Sequence, residues 1–224
     1  MAADPAAMRR LTLTIRPGEQ PLHPVGDAFL DPDVVEVAEL YHWNIRAEQI
    51  TLLFLVYGDR DPIETIASDL EYVSEYEIVP VDESCFYYYN VDEPPAEAMA
   101  LFQTFARPGL LAIPPTRWAD GTITASLLAD EGTLQDIVDD IPDFVDVSID
   151  ALSGHALGAR SPLAALSHRQ REALVAGAAT GYFDVPRTGD HRAVAEELGC
   201  APSTAAEHLQ KAQAALVEAV LPAR

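Results

Sequence analysis

Alternating apolar and polar side chains predict a set of short strands in the first 152 residues. "RLTLTIRP" has the period of two that a half-buried strand requires, and "ITLLFLVYG" has the length and apolar content of a buried one. The predicted strands are 10–17, 50–58, 76–81, 85–91, 110–118, 122–130 and 144–152. Asp120-Gly121 lies between two of them and favours a tight hairpin turn.

Helical spacing separates these strands. Helices are predicted over 61–70, with Asp61 as its cap and Pro62 at its first position, and over 94–106 and 132–141. "DPDVVEVAELYHW" is interpreted as a short helix or an irregular segment. Residues 1–152 therefore predict an α+β domain with an antiparallel or mixed sheet.

An internal repeat lies in this pattern. The segment from Ile50 to Val81 resembles the segment from Ile123 to Leu152, since each begins Ile-Thr, reaches an Asp, continues into a helix and resumes a strand after an aromatic-Val pair. Two such strand-helix-strand halves predict one sheet with its helices on one face, as in ferredoxin-like or amino-acid-sensing domains.

Three helices are predicted in residues 163–224. Ser167 and Gln170 form a capping box that opens the first helix. The second helix, "HRAVAEELG", ends at Gly199, which accepts the left-handed conformation of a tight turn. Pro202 begins the third, in which Ala205, Leu209, Ala212 and Leu216 would face the core. The spacing is that of a helix-turn-helix unit.

The outward face of the third helix is then polar. It carries Pro202, Ser203, Ala206, Glu207, Gln210 and Lys211, at the position where a recognition helix presents side chains to the major groove. Gln pairs with adenine, Lys with guanine or phosphate, and Ser with either. Phosphate contacts are expected from Arg169, Arg171, Arg187 and Arg192. A solvated helical hairpin that contacts protein is the alternative interpretation of the same residues.

Charge divides the chain into unequal parts. The net charge is −22, and Lys211 is the only lysine, a composition that indicates a cytoplasm of molar salt. Residues 163–224 hold six bases and seven acids, a net charge of −1, whereas the remaining eight bases and 29 acids leave −21 on the rest. The segment 153–162, "SGHALGARSP", reads as a linker. We therefore expect a sensing or dimerisation domain at 1–152 and a helix-turn-helix domain at 163–224.

Other function classes find little support. The chain shows no apolar run long enough for a membrane span, and "MAADPAAMRR" lacks the apolar stretch of a signal peptide. Two cysteines are too few for a disulfide framework. It also has no phosphate-binding glycine loop, no nucleophile turn and no metal-ligand spacing. We expect a cytoplasmic protein without a catalytic site, metal or cofactor, and without a membrane partner.

Two groups of side chains allow a ligand pocket as an alternative to ordinary packing. Cys85 lies beside three tyrosines and offers a pocket or a redox-sensitive thiol, although alternating strand aromatics explain the run better. His42, Trp43 and Trp118 are likewise interpreted as core residues before pocket residues.

The segment from Leu166 to Leu216 resembles the helix-turn-helix domain of bacterio-opsin activator-type regulators of halophilic archaea. "GYFDVPR", "AEELG" and "ST" followed by "EHL" carry the resemblance. It implies a sequence-specific transcription regulator that binds double-stranded DNA. The chain departs from the family in two ways: Ala201 replaces the usual capping Ser, and Gln210 and Lys211 stand where two Arg are frequent.

The leading hypothesis is a DNA-binding regulator whose N-terminal domain senses an unknown small-molecule or redox signal or mediates dimerisation. A protein-interaction adaptor and a small α/β enzyme with an appended helical domain are the alternatives. A homodimer is expected, because two linked half-sites compensate for phosphate contacts weakened by salt. Its pairing surface is either Leu216, Val217, Val220 and Leu221 or another face, since those side chains also suit packing within the domain.

Overall fold

Eight strands and four helices are seen in the described residues of the N-terminal part of the chain. The computed structural model describes residues 8–18, 23–154 and 165–220, and the chain divides into two units, Met1–His155 and Ala156–Arg224. The strands are β1 Arg9–Pro17, β2 Val35–Arg46, β3 Gln49–Gly58, β4 Val73–Pro80, β5 Cys85–Asp92, β6 Leu111–Ala119, β7 Thr122–Ala129 and β8 Val145–Gly154. The helices are α1 Pro24–Leu30, α2 Arg60–Asp69, α3 Ala96–Phe105 and α4 Glu131–Asp139.

The strands form one sheet in the order β4-β5-β3-β2-β6-β7-β1-β8, with every neighbouring pair antiparallel. In the β3-α2-β4 unit, β5 lies between the two strands that the helix connects. In the β7-α4-β8 unit, β1 takes the same place. Each half is thus a split β-α-β arrangement, the supersecondary unit of ferredoxin-like domains. The α+β class with repeated strand-helix-strand halves is confirmed.

All four helices of the N-terminal unit contribute to one apolar core. Phe29 of α1, Ile63 of α2, Leu101 of α3 and Ile137 of α4 belong to the same buried cluster as the inward side chains of the strands. Alternate residues on β3 and β5 remain accessible, and Tyr57 and Tyr87 are 38% and 40% exposed. The period-two pattern of β3 and β5 therefore reflects a sheet with one face packed on the core and the other accessible to solvent.

The segment 31–43, interpreted as a short helix or irregular, contains most of strand β2. Val35, Ala38 and Leu40 are buried, and β2 pairs with both β3 and β6. The register shifts between Val35 and Val37 and again between Leu40 and His42, so the alternation breaks at both places. These two breaks explain why the pattern did not predict the strand. The preceding helix α1 is only seven residues long and was not predicted.

The predicted hairpin turn is confirmed, whereas the predicted start of α2 is wrong by two residues. Asp120 and Gly121 have φ angles of 51° and 69°, as the predicted two-residue hairpin requires. The second helix, α2, begins at Arg60 rather than Pro62, and Asp59, not Asp61, caps it by accepting from the Asp61 N–H. Pro62 is tolerated as the third residue of α2 because its missing N–H belongs to the first turn, where donors have no helical partner.

The C-terminal unit consists of α5 His168–Ala179, α6 His191–Leu198 and α7 Pro202–Val220. The predicted capping box of Ser167 and Gln170 is present. Small side chains dominate the core, in which Ala173, Ala176, Val194 and Ala195 pack with Tyr182, Ala205 and Leu209. Strand β8 extends through Gly154, two residues into the predicted linker, and residues 155–162 lie outside the described residues. Among the helices of the described residues, none combines the length and apolar character of a membrane span.

Candidate nucleic-acid interface

A tight turn sets the angle between α6 and α7. Gly199 is left-handed with φ 62°, and its N–H donates to the Glu196 carbonyl at 3.2 Å. The Cys200 N–H donates to the Ala195 carbonyl at 3.0 Å, so the turn satisfies two carbonyls at the end of α6. The Ala201 carbonyl then accepts from the Thr204 and Ala205 N–H groups, which places Ala201 at the N-cap of α7.

The buried stripe of α7 fixes which side chains face outward. Ala205, Leu209 and Ala212 are at most 1% exposed. Leu216 continues the stripe but is only half-buried. Pro202, Ser203, Glu207, Gln210 and Lys211 are exposed and Ala206 is half-buried. The six side chains are accessible, and their contact with DNA stays a prediction.

Two of these residues contact each other. Lys211 Nζ lies 2.7 Å from Glu207 Oε1, one helical turn earlier. The hydrogen bond from Lys211, followed by its charge, lowers the pKa of Glu207. The exposed face of α7 therefore carries an ion pair whose two charges cancel, next to the neutral hydrogen-bonding groups of Ser203 and Gln210.

The four predicted phosphate contacts lie in different local settings. Arg169 and Arg171 are exposed in the first turn of α5, and Arg169 Nη1 is 2.9 Å from Glu172 Oε2. Arg187 stacks on Tyr182, with its guanidinium carbon 4.5 Å from the ring centroid. Arg192 is the second residue of α6 and is exposed. These arginines are accessible, and their role in phosphate binding remains a prediction.

The polar cluster inside the N-terminal unit was missed by the sequence analysis. His23 Nε2 lies 3.0 Å from Asp92 Oδ2, although Asp92 is fully buried. Asn90 Nδ2 donates to Asp92 Oδ1. Its sequence signal is the alternation of Tyr88, Asn90 and Asp92 on β5, which places two polar side chains in positions that face the core.

The residues that allowed a pocket interpretation differ in burial. Trp118 is buried and Trp43 packs against the core, and both line a cavity of about 50 Å³. His42 is exposed, so its interpretation as a core residue is wrong, and it lines a cleft of about 500 Å³ to which Trp43 also contributes. Cys85 is buried, and burial followed by the nearby Asp82 raises the pKa of its thiol. A raised pKa disfavours the thiolate that a redox sensor uses.

An acute turn, a core-facing alanine-leucine stripe and a polar outer face define a helix-turn-helix DNA-binding unit. Comparison with known families agrees, because residues 166–218 match the HTH DNA binding domain of bacterio-opsin activator-type regulators. Residues 23–155 match the N-terminal domain family HVO_0513_N. No curated protein matches the chain.

The N-terminal match covers more than half of the chain, so the chain belongs to the HVO_0513_N family. In this chain the N-terminal domain is joined to a bacterio-opsin activator-type helix-turn-helix domain. The helix-turn-helix domain supports a DNA-binding transcription regulator. Among the described residues, no group of three His, Cys, Asp or Glu side chains is arranged to hold a metal ion.

Proposed function

We propose that this protein is a sequence-specific, homodimeric transcription regulator of a halophilic archaeon, with residues 163–224 binding DNA and residues 1–152 sensing a ligand or mediating dimerisation. The observation that carries the proposal is the division of α7, with Leu209 buried to 1% exposure and its neighbours Gln210 and Lys211 exposed. A helix divided in this way keeps its polar face available to base edges while its apolar face holds the fold.

The chemistry of the exposed face suits direct base readout. The Gln210 amide offers one donor and one acceptor group, which match the N7 and N6 groups of adenine. Ser203 lies in the first turn of α7, the part of a recognition helix that contacts base edges. Ala206, half-buried between them, suits contact with a thymine methyl group.

Salt determines how such a protein binds. The screening length is about 3 Å in 1 M salt, so the −21 charge outside the helix-turn-helix segment repels DNA little. Phosphate attraction weakens too, since about six phosphate contacts lose on the order of five decades of affinity for a tenfold rise in salt. Base contacts and two linked half-sites would then supply most of the affinity.

A candidate pairing surface of the proposed homodimer lies at the end of α7. Val217 is 54% exposed there, and Leu216 is half-buried. Leu221 lies outside the described residues, as does the side chain of Val220. Sedimentation of Val217→Asp, with Val175→Asp on α5 as the matched exposed control, tests whether this surface pairs.

Among signals, a small molecule is better supported than a redox change. The Cys85 thiol is buried with a raised pKa, while the polar cluster around Asp92 borders a cavity. A ligand is the simpler way to alter such a domain.

The experiment that tests the DNA-binding proposal is fluorescence anisotropy with promoter DNA in molar KCl. Saturable binding is expected, and replacing Gln210 and Lys211 by Ala should weaken it without altering thermal stability. Absence of binding to any genomic fragment would favour the protein-interaction adaptor.

A further inference from the structure

The loop between α5 and α6 carries an aromatic ring that supports an arginine. Tyr182 is 6% exposed and belongs to the apolar core of the C-terminal unit. The guanidinium carbon of Arg187 lies 4.5 Å from the centroid of this ring, which is the geometry of a cation–π contact. Arg187 is nevertheless exposed. Its side chain therefore combines a fixed contact on a buried ring with access to a partner from solvent.

Two neighbouring rings hold Tyr182 in place. His191, the first residue of α6, lies with its ring centroid 5.0 Å from that of Tyr182 and at 70° to it. Tyr182 Oη and His191 Nε2 are 3.2 Å apart and form a hydrogen bond. Phe183 packs against the same tyrosine at 5.0 Å and 86°. The position of the Tyr182 ring is thus tied to the start of α6.

Hydrogen bonds close the loop directly after Arg187. The Gly181 carbonyl accepts from the N–H groups of Thr188 and Gly189, each at 3.2 Å. Thr188 Oγ1 donates to Asp184 Oδ2 at 2.7 Å, so the carboxylate of the loop is engaged by a neutral group. The backbone that carries Arg187 is therefore anchored, and the nearby acid is turned to another partner.

The charge of Arg187 is not compensated by an acid. Arg187 has no ion pair among the described residues, whereas Arg169 contacts Glu172 at 2.9 Å and Lys211 contacts Glu207 at 2.7 Å. A guanidinium is always protonated, and contact with a neutral ring cancels none of its charge. The full charge of this side chain is consequently available to an anion.

We infer that Tyr182 is a positioning residue that presents Arg187 to a DNA phosphate, an inference that rests on the proposed DNA-binding function. In a helix-turn-helix unit, the helix that precedes the recognition helix crosses the DNA backbone. Here that helix is α6, and its first residue, His191, is the one bonded to Tyr182. The ring thus links Arg187 to the part of the domain that meets phosphates, and a guanidinium fits a phosphate with two parallel N–H donors.

Molar salt makes such positioning important. With a screening length of about 3 Å, a cation attracts DNA only at contact distance. An arginine that is mobile in the free protein loses side-chain conformational entropy when it binds, whereas an arginine already held on a ring loses less. Arg187 therefore contributes more to binding when the ring of Tyr182 is present than the same charge does without it.

The salt dependence of DNA binding tests this inference, measured by anisotropy of the full-length chain with a genomic fragment that the wild type binds. Arg187→Ala should lower the slope of log affinity against log salt by about 0.9, the value of one phosphate contact. Binding to a scrambled fragment should weaken by the same factor, because phosphate contacts carry no sequence information. Arg187→Lys keeps the charge and should retain most of the slope. Arg46→Ala, an equal charge change at an exposed position of β2, is the control.

Variants of Tyr182 test the role of the ring. Tyr182→Leu keeps Arg187 but removes its support, so the slope should fall towards that of Arg187→Ala, and combining the two changes should lower it little further. Tyr182→Phe keeps the ring and its packing against His191, and it should retain the slope. Phe183→Leu removes the neighbouring ring and leaves the contact between Tyr182 and Arg187, so it is the matched control.

An unchanged slope in Arg187→Ala or in folded Tyr182→Leu overturns the inference. Equal losses in Phe183→Leu and Tyr182→Leu also overturn it, since they would reflect packing of the loop alone. If Tyr182→Leu does not fold by circular dichroism, Tyr182→Met replaces it, because the flexible Met side chain fills irregular gaps. If neither folds, Arg187→Ala against Arg46→Ala decides. A wild type that binds no genomic fragment contradicts the proposed function, whereas DNA binding with a slope independent of Arg187 contradicts only this inference.

Discussion

Glu207 and Lys211 form an ion pair across one turn of α7, with 2.7 Å between Oε1 and Nζ. Lys211 is the only lysine of the chain. Its charge is therefore compensated before DNA arrives, and Glu207 brings a negative charge to the same face. A surface pair of this kind is weak and screened by salt, so Lys211 can exchange Glu207 for a phosphate or guanine.

Glu207→Gln should tighten DNA binding, because it removes a negative charge from the interface and frees Lys211. The salt dependence should steepen if Lys211 then contacts phosphate, by about 0.9 in the slope of log affinity against log salt. Anisotropy over a KCl series measures both quantities. Glu218→Gln, at an exposed site near the end of α7, is the control. Weaker binding by Glu207→Gln would mean that the carboxylate itself reads a base, such as the cytosine amino group.

Neighbouring substitutions on α7 should separate folding from recognition. Leu209→Ala should destabilise the C-terminal unit by about 2–5 kcal/mol, since it leaves a cavity at a 1% exposed position. Gln210→Ala should change stability by less than about 0.5 kcal/mol. It should nevertheless cost about 1–3 kcal/mol of specific DNA binding. Chemical denaturation and anisotropy on the same samples give the comparison, and an unchanged DNA affinity for Gln210→Ala would count against base readout.

Ala201→Ser should stabilise α7 by about 1 kcal/mol, because Ala201 occupies the N-cap and offers no side-chain acceptor to the first turn. Ala214→Ser, an exposed substitution inside the same helix, should be neutral or slightly destabilising. Thermal unfolding measures the difference. Equal effects of the two substitutions would show that the first turn gains nothing from the hydroxyl.

Acid should weaken the start of α6 through its cap. Hydrogen bonds from the Ala193 and then the Arg192 N–H lower the pKa of Asp190 below its ordinary 3.8. Because the pKa is lowered on folding, the charged cap stabilises fully above pH 3.8 and its contribution is lost as the pH falls through the folded pKa. Asn caps without titrating.

Melting curves across this acid range, followed by circular dichroism, should show Asp190→Asn gaining on the wild type as the pH falls below 3.8, with little difference near neutrality. Glu197→Gln, an exposed change on the same helix, serves as the control. A constant difference at every pH would exclude the titrating cap.

The sequence predicted what local signals determine. The bounds of the three C-terminal helices were predicted from the capping box, Gly199 and Pro202, because each of these signals acts within one helical turn. The repeat at Ile50 and Ile123 predicted the two halves of the sheet. The middle strand of the first half, β5, follows that half in the chain, whereas the middle strand of the second half, β1, lies far before it. This arrangement depends on tertiary strand pairing, which a local pattern does not predict.

Strand β2 and the Asp92 cluster were missed for related reasons. Two register shifts, after Val35 and after Leu40, interrupt the alternation of β2, so the pattern did not predict a strand. Asp92 and His23 are 69 positions apart in the chain, and only the pairing of β5 with β3 and the position of α1 bring them together. A polar residue at a core-facing strand position was the available signal.

The central claim, that the outward face of α7 reads DNA sequence, is tested most directly by selecting bound genomic fragments in molar KCl. The wild type should enrich a short common motif. A variant with Ser203, Gln210 and Lys211 replaced by Ala should lose that enrichment while its unfolding temperature stays the same. Enrichment of the same motif by the folded variant, or no motif with the wild type, would contradict the account.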